Sequence, residues 1–117
     1  MDIEYFREYA LKKKGVTESQ PFGDDVIVYK VTNKIFMMMN FETPFQLSLK
    51  CDPELAIELR ERYSAVKAAY HMNKTHWNTV DADGSIPLKE MLKMIDHSYE
   101  LIVSKFSKKE KENYNKL

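Results

Sequence analysis

The chain has 117 residues, 44% hydrophobic and 31% charged, with 18 Lys and Arg against 18 Asp and Glu. That mix predicts one globular domain over residues 1–117 and excludes a disordered tract. Zero net charge argues against strong nonspecific duplex binding, whose affinity comes largely from counterions released by phosphates.

The longest apolar run, Ile35 to Met39, is far too short to span a membrane. The N-terminus lacks the basic start and apolar block of a signal peptide. A lone cysteine, Cys51, excludes an internal disulfide. A cytoplasmic protein is expected.

Asp2 caps a first helix whose apolar positions Ile3, Phe6 and Ala10 keep helical spacing. Gly15 stops it after Lys12–Lys14, and "TESQPFGDD" follows as a loop. Three strands come next: 26–31, 35–41 and 45–50. "TN" before Lys34 turns the first hairpin. Phe45, Leu47 and Leu49 alternate with Gln46, Ser48 and Lys50. Asp52 then Pro53 open a second helix. "THWNTV" (75–80) is a fourth strand with Trp77 as a core anchor, and "DADG" is a turn. Leu88, Met91, Leu92, Ile95, Tyr99, Ile102, Val103 and Phe106 form the stripe of the last long helix. Residues 107–117 form a polar lysine-rich tail, frayed or briefly helical. The fold class is α+β, an antiparallel sheet with helices packed on one face.

The densest chemistry lies in "YHMNKTHWNTVDADGSIP", residues 70–87. His71 and His76 are five apart and His97 sits off the apolar stripe, expected in solvent. Zinc wants three or four converging ligands at tighter spacing, so no metal is expected. Asp81, Asp83, Gly84 and Glu90 fall on calcium-loop positions three, five, six and twelve. However, position one is Thr79 and the preceding segment is a strand, which leaves a turn into the helix. Cys51, Ser98 and Ser104 have no base or elbow motif around them, and no Gly-rich phosphate loop exists; no catalytic activity and no cofactor are expected. In "FMMMN", Met37 and Met39 point one way and Met38 the other, as core filling.

Charge is uneven. Residues 81–100 carry a net −3, residues 105–117 a net +3, and residues 63–80 hold Lys67 and Lys74 with no acid. Cations interleaved with aromatics suit phosphates and bases.

"YHMNKTHWNTV", "DGSIP" and "SYEL", with the upstream "PFG", "IFMMMNF" and "LKCDPELAIELRERY", resemble the MmcQ/YjbR-like family over nearly the entire chain. The resemblance implies a frataxin-like (CyaY-like) α+β fold, and the bacterial family's usual label of DNA-binding proteins with a double-wing motif. It implies no catalytic activity. The family strand usually continues with small residues where Met37–Met39 stand here. Asp2, Glu4 and Glu8 are diluted by Arg7 and Lys12–Lys14, so no frataxin-type iron ridge is expected.

The expected partner is double-stranded DNA. Lys67 and Lys74 would pair with phosphates, His71 and His76 would donate hydrogen bonds, and Lys50 would extend the patch. The alternative is a protein- or small-ligand-binding module, using the concave sheet face or the His71–Trp77 hairpin.

Overall fold

The computed structural model describes residues 2–42, 44–69 and 72–117. Helix α1 (Ile3–Leu11) starts where Asp2 accepts a hydrogen bond from the Glu4 amide at 2.9 Å, and it buries Phe6 and Ala10. Gly15, at φ +75, turns the chain into β1 (Val16–Ser19), which overlaps the expected loop from Thr17 on. This strand is short and has one apolar residue, so it shows little hydrophobic period. The ladder to β2 (Val26–Val31) and an ion pair from Arg7 to Glu18 at 2.6 Å hold it. Thr32 and Asn33, at φ 47 and 63, turn the chain into β3 (Lys34–Asn40). Two positive values define the tight turn whose twist matches a hairpin.

Strand β4 (Gln46–Lys50), helix α2 (Pro53–Arg62) and strand β6 (Trp77–Asp81) fall close to their expected places. The three-residue β5 (Val66–Ala68) was not foreseen; it pairs with β6. Helix α3 runs from Leu88 to Ser104. The sheet is antiparallel throughout, in the order β1-β2-β3-β4-β6-β5.

One core lies between this sheet and helices α1, α2 and α3. Met37, Met39, Leu47, Leu49 and Val80 face it from the sheet; Ala56, Leu59, Met91, Ile95 and Ile102 face it from the helices. The stripe of α3 departs from expectation at two points: Met94 is buried and Leu88 is 40% exposed. Trp77 is buried, but it lies outside this cluster. Alternation in β6 sends Asn78 and Val80 toward the helices and Trp77, Thr79 and Asp81 the other way.

A bulge shapes the centre of the sheet. Tyr29 pairs with Met37 and Lys30 with Ile35, so Phe36 is an extra residue on β3. The ladder to β4 stops at Met37, and Ser98 of α3 fills the gap. Its hydroxyl donates to the Phe36 carbonyl at 2.5 Å and accepts from the Lys50 amide at 2.9 Å. Phe36 packs edge-on against Tyr99.

Of the two forms expected for the lysine-rich end, the short helix is found: α4 (Lys108–Asn115), capped at its start. Ser107 and Glu110 form a reciprocal capping box. Tyr114 then docks the helix: its hydroxyl meets that of Tyr99 at 2.9 Å and its ring meets Phe106.

Candidate functional site

The strands distribute the expected contact residues. Lys67 is exposed on β5 opposite Thr79. Its ammonium lies 3.1 Å from the Asp81 carboxylate, whose other oxygen accepts from the Gln46 amide at 2.7 Å. The acid-free segment ends one residue before Asp81, and the β5–β6 register brings that acid diagonally across from Lys67. Lys67 is therefore a paired charge. Lys74 is exposed in the loop between β5 and β6, where its carbonyl accepts from Arg60 at 3.4 Å. The His76 backbone is pinned at both ends. Its amide donates to Asn73, and its carbonyl accepts from the Cys51 amide at 2.8 Å. His71 and Tyr70 lie outside the described residues. His97 is half-buried off the apolar stripe, and its Nε2 accepts from the Asp52 amide at 3.1 Å.

The acidic turn holds no calcium geometry. Asp81 faces Gln46 and Lys67, while Asp83 accepts from the amide and hydroxyl of Ser85. Glu90 turns to Lys93 at 3.5 Å. Among the described residues, no three His, Cys, Asp or Glu side chains cluster closely enough to hold a metal ion. Burial pushes the Cys51 thiol up to about 11, so it is an inert, protonated core group at neutral pH.

Lys50 has a different setting. It is half-buried at the end of β4, and its pKa is lowered by burial first, then by the charges of Lys105 and Lys34. It marks a convergence that no single segment announces. Lys34 reaches Glu110 of α4 at 3.6 Å. The Lys14 ammonium sits 4.4 Å from the Tyr114 ring centre, and the Lys14 carbonyl accepts from the Tyr99 hydroxyl. Lys13 pairs with Asp96. The end of α1, the start of β3, the end of β4, the end of α3 and all of α4 thus share one pole. Lys34, Lys50 and Lys105 feel one another's charge, Lys14 sits on Tyr114, and residues 108–116 add Lys108, Lys109, Lys111 and Lys116 against Glu110 and Glu112. In a chain of zero net charge, this is a strong local asymmetry.

Cavities lie on both faces of the sheet. One, of about 420 Å³, lies on the face without helices, lined by Met38, Ser48, Thr79, Lys67 and Met72 among others. The other, of about 190 Å³, lies between α2, α3 and the sheet. Its wall includes Leu49, Leu55, Leu59, Val80 and Met94, with the polar residues Lys50, Arg62, Asn78, Glu90, Lys93 and His97 among them. Asn78 is 2% exposed; its Nδ2 donates to the Ala56 carbonyl at 3.3 Å, and its Oδ1 has no partner among the described residues. The sequence signal for it was the alternation of "WNTV", which puts a polar side chain on the core side with Val80.

Fold and site define a small α+β domain with a one-sided helical layer, a basic pole and a compact apolar cavity. The YjbR family model matches residues 11–101, and the chain belongs to the YjbR family. It is 35% identical over 105 residues to the uncharacterised protein YjbR of Escherichia coli K12, covering 89% of each chain. It is 32% identical over 109 residues to the uncharacterised protein YbdF of Escherichia coli O157:H7, covering 92% of this chain and 88% of that one. Among solved structures, the Deinococcus radiodurans protein DR2400, described as a DUF419 domain, superposes with a TM-score of 0.90 at 31% identity. That match covers 97% of this chain and 87% of the other. No helix among the described residues is long and apolar enough to cross a membrane.

Proposed function

We propose that the protein is a cytoplasmic, non-enzymatic DNA-binding module that contacts duplex phosphates through its lysine pole. The observation that carries the reading is the convergence of Lys34, Lys50 and Lys105 beside the lysines of α4. Their mutual repulsion is relieved when a polyanion replaces the neighbouring counterions. The mechanism is electrostatic and carries no base readout. Lys67 lies on the helix-free face beside Asp81, away from these lysines, and is left outside the contact surface. The DNA-binding label carried by the MmcQ/YjbR-like resemblance agrees with this reading.

The test is a titration of a fluorescent duplex at two or more salt concentrations. A patch that neutralises about two to four phosphates gives a log–log slope of roughly −2 to −4. No binding at low salt, or binding indifferent to salt, overturns the proposal.

A further inference from the structure

The hollow on the helix-free face has no part in phosphate contact, and the sheet register accounts for its shape. We infer that it binds a neutral planar ring whose edge carries an adjoining C=O and N–H, the cyclic amide edge of a uracil-type base.

Side-chain length makes the hollow. Ser48 of β4 pairs with Thr79 of β6, and both short side chains point to this face, their hydroxyls 3.2 Å apart. Longer side chains surround them. Met38 and Lys67 continue the same row on either side, and Asn40 and Gln46 form the next row across β3 and β4. A floor of hydroxyls inside a taller rim leaves about 420 Å³, within the roughly 300–1,000 Å³ of small-ligand clefts.

The rim decides the chemistry. The Gln46 side-chain nitrogen donates to the Asp81 carboxylate at 2.7 Å, and a carboxylate only accepts, so the group left over is the Oε1 acceptor. The Asn40 Oδ1 accepts from the Glu42 backbone amide at 3.1 Å, which leaves the Nδ2 donor. Both residues line the hollow and are half-buried. They stand directly opposite each other in the β3–β4 register, where Cβ atoms lie about 5 Å apart. One donor and one acceptor are thus offered side by side, which an edge with adjoining C=O and N–H complements. Met38 and Met72 supply thioethers, which make favourable contacts with aromatic rings. Charge selects a neutral ligand. Among the described residues the one cation of the lining, Lys67, is paired with Asp81, and Glu42 adds a carboxylate at the rim.

The experiment uses two probes that differ by one N–H: 1-methyluracil and 1,3-dimethyluracil. Each is titrated into the full chain and followed by amide chemical shifts. Shifts should centre on Asn40, Gln46, Ser48 and Thr79. 1-Methyluracil should bind roughly fivefold tighter, the equivalent of one neutral hydrogen bond. Gln46→Met keeps the side-chain length, removes the acceptor and should abolish that gap. Ser48→Leu, on the face away from the core, should fill the floor and block both probes, with a urea midpoint near the parent's showing that it folds. A thymidine oligomer at high salt, where contact with the lysine pole is suppressed, separates two sources of the ring. Tighter binding than 1-methyluracil marks an unpaired base in a strand; equal or weaker binding marks a free base. Equal affinity of the two probes, shifts confined to the lysine pole, a folded Ser48→Leu that binds as the parent does, or no binding at millimolar concentration would overturn the assignment. Neither probe carries a phosphate, so the duplex titration reports separately on the phosphate reading.

Discussion

Ser98→Ala removes one oxygen and should cost more than any surface change on this protein. The hydroxyl is fully buried and splices two strands at the Phe36 bulge. It satisfies the Phe36 carbonyl at 2.5 Å and the Lys50 amide at 2.9 Å. Alanine leaves both backbone groups without that partner, and each such loss costs about 1–3 kcal/mol. The expected destabilisation is about 2–6 kcal/mol, a large share of the roughly 5–15 kcal/mol that holds a domain together. In urea, with a slope of about 2 kcal/mol/M, the midpoint should fall by about 1–3 M with the slope unchanged. Thermal unfolding followed by circular dichroism should show the same order. A midpoint shift of under about 0.3 M would mean that the strands do not depend on Ser98.

Other outcomes follow from the same geometry. Thr32, a β-branched residue at φ 47, sits in a conformation that costs it about 1–2 kcal/mol; Thr32→Asn should raise the melting temperature by a few degrees, and a decrease would contradict the turn assignment. Asn78→Leu removes an unpaired buried acceptor, while the Ala56 carbonyl keeps its bond from Arg60; stability should hold or rise, as measured by urea midpoint. Alkaline pH should erode stability through Cys51. The folded thiol holds its proton up to about 11, above its ordinary value near 9, so the unfolded chain releases protons first and stability falls across that window. Cys51→Ala should therefore lose less between pH 8 and 10.5 than the parent does; an equal loss assigns the effect elsewhere.

Much of the fold was legible because local signals were strong. Asp52–Pro53 fixed the start of α2, and alternation in "FQLSLK" fixed the faces of β4. Asp2 marked the start of α1. Strands β1 and β5 were not legible, since four and three residues with few apolar side chains carry no period. The fate of the lysine-rich end depended on Tyr114 meeting Tyr99, a contact between elements rather than a pattern within one.

The site was less legible for a related reason. An acid-free run in the chain is not an acid-free surface. Lys67 met Asp81 across a strand pair, while the real concentration of charge came from five separate segments. Trp77 behaved similarly: its size predicted burial, and burial is found, but β6 alternation sends it away from the main core. Asn78 was visible as a polar residue in a core position, though its meaning required the walls of α2 and α3.

The most direct test of the phosphate reading compares two charge reversals in one low-salt duplex titration. Lys105→Glu with Lys109→Glu alters exposed lysines of the pole; Lys67→Glu alters the paired lysine on the sheet. The account predicts that the pole variant loses most of its affinity and that its salt slope shrinks by about one unit per lysine, with Lys67→Glu close to the parent. Equal loss from both, or greater loss from Lys67→Glu, would contradict it.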